Sequence, residues 1–215
     1  QTKNPRAMNS TGFMLLKGFG TEKNEMQALK YFKMGADAGS SVSMNNYAEM
    51  LEKGEGTPNH RKNRAIALKY FIKAADLNDS NAMNNYARYL ENGIHIHKNI
   101  EKAMEYYKKS AGLRNPDGLY NYGRVLETYI RDYEQASKYY EQGAKARNIK
   151  AMKRYAQILE LGNIIDKNEI RSVNNLFGVQ QNFKKAIRFY EIAADSGDVD
   201  CMVKTAQFYE EGRPN

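Results

Sequence analysis

Ala67-Leu68-Lys69-Tyr70-Phe71 decides the fold, because the pattern returns as Ala28-Leu29-Lys30-Tyr31-Phe32, Ala103-Met104-Glu105-Tyr106-Tyr107, Ala136-Ser137-Lys138-Tyr139-Tyr140 and Ala186-Ile187-Arg188-Phe189-Tyr190. The alanines that open these segments are spaced by 39, 36, 33 and 50 residues. Self-similarity at such a period is the sequence mark of a solenoid, with changes of length confined to loops. Within the pattern, Ala67, Tyr70, Phe71, Ala74 and Ala75 fall at i, i+3, i+4, i+7 and i+8, which is one face of an α-helix.

Working outward, a second column precedes the first. Met8, Met44, Met83, Leu119, Met152 and Met202 each head another helical face, as in Met44, Tyr47, Ala48 and Leu51. A small residue recurs in the middle of it, at Ala48, Ala87, Gly123, Ala156 and Ala206, and lets a partner helix approach closely. Glycine then follows at Gly18, Gly54, Gly93, Gly162 and Gly212, where a left-handed residue can end a helix. In the unit headed by Leu119, Tyr129 stands in that place.

Each unit is therefore predicted to be a helical hairpin whose aromatic pair fills the space between hairpins. The fold class is all-α, an α-solenoid of antiparallel helix pairs. The units run over residues 6–40, 41–79, 80–115, 116–148 and 149–198, the last carrying an insertion at 163–181, with a partial unit at 199–215. Because the chain begins at Gln1 and stops soon after a first helix, both ends are expected to be cut from a longer array.

Composition suits such an array. Aromatic residues are 16 Tyr and 8 Phe without Trp, and Pro is scarce at 4. Mean hydropathy is −0.77, and no apolar run reaches the length of a membrane span. The single cysteine, Cys201, excludes an intramolecular disulfide framework. It aligns with Ser43, Ala82, Gly118 and Ala151, a column of small residues, and is read as packing rather than as a nucleophile.

The order Ala-Met-x-x-Tyr-Ala-x-x-Leu-Glu-x-Gly, a variable loop, then Ala-x-x-Tyr-Tyr-x-x-Ala-Ala resembles the Sel1-like repeat, a relative of the tetratricopeptide repeat, over residues 6–212. The resemblance implies a right-handed superhelix with first helices lining a concave face, and an adaptor that assembles complexes. A secreted, cysteine-rich branch of that family, similar to β-lactamases, would be a hydrolase, but the cysteines of its repeats are missing here. The expected function is thus a non-catalytic scaffold. The alternatives are a permanent component of a cytoskeletal, microtubule-type assembly, or an array attached to an enzymatic domain.

By analogy with tetratricopeptide grooves, the first-helix positions outside the core supply the binding face. Glu52, Glu91, Glu127, Glu160 and Glu210 recur there, which argues for a structural role within the repeat. Asn45, Asn84, Arg88, Tyr120, Arg124 and Lys153 differ from unit to unit and are the groove candidates. Their chemistry suits an extended acidic peptide, since Asn bonds peptide groups and Arg holds carboxylates bidentately; the alternative for any one of them is a solvated face.

The insertion supplies a second candidate, because Ile170, Val173 and Phe177 share a helical face at i, i+3 and i+7. It is expected either to dock a partner or to fold back onto its hairpin. Net charge is +8, and much of the excess sits on second helices, at Lys69, Lys73, Lys102, Lys108, Lys109, Lys184, Lys185 and Arg188. A basic outer stripe suits acidic proteins such as tubulin, while no module for sequence-specific nucleic-acid reading is present.

Chemistry is expected to be absent. His95 and His97 are close in sequence, but no Cys or carboxylate spacing completes a metal site. Gly18-Phe19-Gly20-Thr21 and Gly54-Glu55-Gly56-Thr57 lack the Lys-Ser/Thr ending of a phosphate loop and follow a helix. No catalytic residue, cofactor or metal is assigned. The partners expected are other proteins, and the compartment expected is the cytoplasm, with cytoskeletal association or the ER lumen left open.

Overall fold

The computed structural model describes residues 4–162 and 179–212. Among them the chain is all-helical. Helices alternate as α1 (Pro5–Lys17), α2 (Glu25–Asp37), α3 (Ser41–Lys53), α4 (Arg64–Asp76), α5 (Ser80–Asn92), α6 (Ile100–Gly112), α7 (Pro116–Val125), α8 (Tyr133–Lys145), α9 (Ile149–Leu161), α10 (Phe183–Asp195) and α11 (Val199–Glu210). They form two units, residues 1–110 and 111–215. In the first, α1 to α5 pack each against the next, and in the second α7 to α11 do the same.

One set of local devices builds every hairpin. First helices begin at Asn4, Ser40, Asp79, Asn115, Asn148 and Asp198, each accepting a backbone N–H through its side chain. Such caps contribute about 1 kcal/mol apiece. Second helices begin at Asn24, Asn63, Asn99, Asp132 and Asn182, capped in the same way. The backbone N–H of each also donates to a carbonyl of the preceding first helix, at Leu15 (2.8 Å), Leu51 (2.7 Å), Leu90 (2.9 Å), Leu126 (3.1 Å) and Leu159 (2.9 Å). These leucines all lie seven residues after the Met or Leu that heads the unit. The loop is thereby pinned at its far end whatever its length, which is why spacings from 33 to 50 residues fit one frame.

The near end of the loop depends on glycine. Gly18, Gly54 and Gly93 take left-handed φ of 73°, 83° and 67° and end α1, α3 and α5. At Gly54 a Cβ would lie 2.2 Å from the His60 carbonyl oxygen, so close approach as well as φ demands glycine there. Where Tyr129 replaces glycine, α7 instead runs on through one π-helical turn, Leu126–Ile130, and closes two residues later on left-handed Arg131. The π-turn absorbs the missing stop signal without moving the Leu126 clamp.

The core is a repeated aromatic layer. The second aromatic of each pair, Phe32, Phe71, Tyr107, Tyr140 and Tyr190, is buried to 1% exposure or less. Burying a ring of this size stabilises by about 1.5–3 kcal/mol. The first aromatic of the pair is half-buried and packs edge-on against a first-helix tyrosine: Tyr47–Tyr70, Tyr86–Tyr106, Tyr122–Tyr139 and Tyr155–Phe189, with centroids 4.7–5.5 Å apart. The small mid-helix residues Ala48, Ala87, Gly123 and Ala156 are buried beneath them, whereas Ala206 on α11 is exposed.

Successive hairpins meet through a second small-residue contact. A Cβ on Gly143 would come within 2.7 Å of the Ala151 Cβ, and one on Gly35 within 2.4 Å of the Ser43 hydroxyl oxygen. Cys201 belongs to the same column as Ser43 and Ala151 and is fully buried. Burial and the hydrogen bond with Asp198 push its thiol up to about 12, away from the reactive thiolate.

Candidate interaction surface

Along the first helices of the first unit, side chains reach from each repeat to the one before. Asn46 donates to Asn9 Oδ1 at 2.9 Å, and Asn85 donates to Asn45 Oδ1 at 3.0 Å and to Glu49 at 3.1 Å. Asn45 in turn donates to Glu49 at 2.9 Å. Asn45 is 3% exposed and Asn84 is 9% exposed, so both amides lie inside the packed face and serve it from below. Arg88 is half-buried and donates to Glu52 at 2.6 Å, its guanidinium 5.3 Å from the centre of the Tyr89 ring. Burial opposes the arginine charge, but Glu52 outweighs it and raises the Arg88 pKa.

The second unit repeats the theme with different side chains. Glu127 accepts from the Tyr140 hydroxyl at 2.5 Å and from Arg154 Nε at 3.2 Å. Glu160 accepts from the Tyr190 hydroxyl at 2.8 Å and from Lys204 at 3.0 Å. In the first unit Glu91 likewise accepts from the Tyr107 hydroxyl at 2.9 Å. Four of the recurrent glutamates, Glu52, Glu91, Glu127 and Glu160, are thus structural: each ties a first helix to the buried tyrosine of its hairpin, to a cation of the next repeat, or to both. Glu52 belongs to the hairpin whose second aromatic is Phe71, which has no hydroxyl, and accepts from Arg88. Glu210 is exposed.

Of the remaining groove candidates, Tyr120 is half-buried, its ring 6.0 Å from that of Tyr140 with the Lys150 ammonium 5.9 Å from its centre. Arg124 is half-buried on α7. Lys153 bonds Asp200 and lies 3.8 Å from Asp198, both at the start of α11. The structure therefore places the unit-specific cations Arg88 and Lys153 within ion pairs between repeats rather than on an unengaged surface. The insertion candidates Ile170, Val173 and Phe177 lie outside the described residues.

Sequence reasoning missed the residue two places after the heading Met or Leu. That column reads Ser10, Asn46, Asn85, Asn121, Arg154 and Lys204. Its members at 46, 85, 154 and 204 make the bonds to the preceding repeat. The signal was present, because from Asn46 onward every member carries a side-chain N–H donor beside an apolar stripe. Among the described residues, no three His, Cys, Asp or Glu side chains gather as metal ligands, and His60, His95 and His97 are all exposed.

The Sel1 repeat matches at residues 5–40, 41–79, 80–115, 116–148 and 173–198. The chain belongs to the Sel1 repeat family. A Sel1 repeat protein from Oxalobacter formigenes superposes with a TM-score of 0.79 at 26% identity, over 98% of this chain and 80% of that one. A protective antigen of uropathogenic Escherichia coli with an SLR fold gives 0.67 at 23% identity, over 97% of this chain, which spans 50% of that protein. An immunity protein from Pseudomonas aeruginosa gives 0.62 at 19% identity over 92% of this chain and 67% of that one, a likeness of fold. No curated protein matches in sequence.

Sel1 repeat proteins generally act in protein–protein interaction, and the fold is in general a non-catalytic scaffold. No helix among the described residues is long and apolar enough to cross a membrane.

Proposed function

We propose that this Sel1 array is a non-catalytic adaptor that assembles a multiprotein complex, using the first-helix faces of its units and the long insertion at 163–181. One observation carries the reading: the buried frame of Met or Leu, Tyr, small residue and Leu recurs, while half-exposed neighbours on it change from Glu49 to Arg88 and from Arg124 to Gln157. Variation on a fixed frame is how a repeat surface encodes a partner. The bonds to Glu52 and Asp200 hold Arg88 and Lys153 in place, which lowers the entropy lost on binding. Asn45 and Asn84 support the face from within, and Tyr120 and Arg124 add an aromatic plane and a cation for an acidic peptide. Ile170, Val173 and Phe177 would add an apolar anchor.

The test is affinity capture from native cells with cross-linking. One stoichiometric partner cross-linked to α5, α7 or residues 163–181, and lost with Arg88→Gln/Arg124→Gln or with Ile170→Asp/Val173→Asp/Phe177→Asp, supports the adaptor. Glutamine is chosen because a carboxylate at position 88 would be repelled by Glu52. Cross-links spread over exposed second-helix residues Lys69, Lys73, Lys108 and Lys184 to an abundant polymer such as tubulin would establish a permanent cytoskeletal component instead.

A further inference from the structure

The second unit carries a basic crevice on the side of its second helices. It is lined by Ala144 and Lys145 at the end of α8, Arg147 in the turn that follows, Met152 of α9, and Lys185, Arg188, Phe189 and Ile192 of α10, and encloses about 320 Å³. The α10 contribution falls at i, i+3, i+4 and i+7, so one stripe of that helix faces it. The floor is apolar, with Met152 buried and Phe189 and Ile192 half-buried. The rim is four cations.

Those cations divide into two pairs. Lys145 and Lys185 both bond Glu141, at 3.2 and 3.0 Å, and Lys185 also donates to the Tyr155 hydroxyl at 3.1 Å. They share one carboxylate, which offsets one of their two charges. Arg147 and Arg188 are exposed and make no ion pair among the described residues. Two unengaged guanidinium forks thus flank an apolar pit that carries excess positive charge.

We propose that this crevice docks an acidic protein segment, inserting one large apolar side chain between carboxylates held by Arg147 and Arg188. Charge complementarity selects the class, since guanidinium groups bind carboxylates bidentately and outcompete lysine in that geometry. Size selects the mode. The volume lies at the low end of ligand pockets, which run from about 300 to 1,000 Å³. It admits an extended segment with a single anchor rather than a helix laid along a groove. A nucleic-acid strand fits less well, because two of the four cations are already bound to Glu141 and the cations do not form an extended track. This surface is separate from the first-helix faces, so the proposal stands or falls independently of the adaptor reading.

The test uses the whole chain and a fluorescein-labelled peptide in which one leucine is flanked on both sides by Asp and Glu, followed by anisotropy. Saturable binding is expected, weakened about tenfold or more by Arg147→Glu/Arg188→Glu, the effect of losing charge-assisted hydrogen bonds. Replacing the peptide leucine by serine is expected to weaken it similarly, while Lys69→Glu/Lys108→Glu, an equal change of charge on exposed residues of the first unit, leaves it within about threefold. Arg147→Gln/Arg188→Gln provides the same loss without charge reversal should the first variant unfold. Absence of saturable binding, equal weakening by the Lys69/Lys108 variant, indifference to the leucine, or equally tight binding of a single-stranded oligonucleotide would each overturn the proposal.

Discussion

Replacing Glu127 by alanine probes the logic that ties one repeat to the next. The carboxylate is shared by the Tyr140 hydroxyl and Arg154, and Tyr140 is 1% exposed. Removing it strands a buried hydroxyl, which costs about 1–3 kcal/mol. Arg154 loses its carboxylate but keeps its bond to Gln157, and its side chain is 31% exposed, so that loss is discounted to about 0–1 kcal/mol. The expected total is about 1–4 kcal/mol. Tyr140→Phe removes only one bond, leaves Glu127 with Arg154, and mimics Phe32 and Phe71 at the same place in other repeats, so about 1 kcal/mol is expected. In the Tyr140→Phe background, Glu127→Ala no longer strands a hydroxyl, and its cost falls by about 1 kcal/mol or more. Urea unfolding followed by far-UV circular dichroism measures each variant, and amide exchange locates the loss in α7 to α9, because repeat arrays need not unfold as one unit. A cost below about 0.5 kcal/mol for Glu127→Ala, or a coupling of zero, would refute the argument that these glutamates hold the repeats together.

Gly143→Ala should destabilise the second unit by about 1–3 kcal/mol in the same assay, since its Cβ would sit 2.7 Å from Ala151, and Ala151→Gly should restore much of the loss. Arg114→Gly should raise the free energy of unfolding by about 0.5–1 kcal/mol, because Arg114 is left-handed at φ 56° where Gly39 and Gly197 serve other repeats. The third expectation concerns alkali. Burial and the bonds to Glu127 and Glu160 raise the pKa values of Tyr140 and Tyr190 above the ordinary 10.0, so the folded state holds these protons more tightly than the unfolded chain. Their contribution is complete below pH 10 and is lost as pH rises beyond it; Tyr140→Phe/Tyr190→Phe should flatten the alkaline limb of a stability–pH curve, and an unchanged slope would exclude the linkage.

Legibility differed sharply between frame and face. The hairpin could be read from Ala67-Leu68-Lys69-Tyr70-Phe71 and its copies because helical periodicity and glycine stops are local properties, set by residues within one or two turns of each other. The exchange of Gly162 for Tyr129 in the unit before was visible as a departure, but its remedy was not. A π-turn closing on Arg131 depends on where the Leu126 carbonyl meets the Asp132 N–H, a contact the pattern does not specify.

The groove candidates show the same limit. Variation at Asn45, Asn84, Arg88 and Lys153 was visible, but variation alone does not distinguish a side chain offered to a partner from one turned toward the next repeat. The structure buries Asn45 and Asn84 and commits Arg88 to Glu52 and Lys153 to Asp200. Those pairings join residues some forty positions apart, and their register is set by the close approach at contacts such as Gly143–Ala151. The crevice at Arg147 and Arg188 is of the same kind, since no periodicity announces that a turn after α8 and a stripe of α10 enclose one pit.

By itself, then, the sequence determined the repeat, its two helices, its buried aromatic pair and its membership of a helical solenoid class. Each follows from short-range periodicity and from the volume of single side chains. Tertiary structure decided which polar residues are spent between repeats and which cations remain unengaged, because charge pairing is fixed only when packing brings distant helices to within hydrogen-bonding distance.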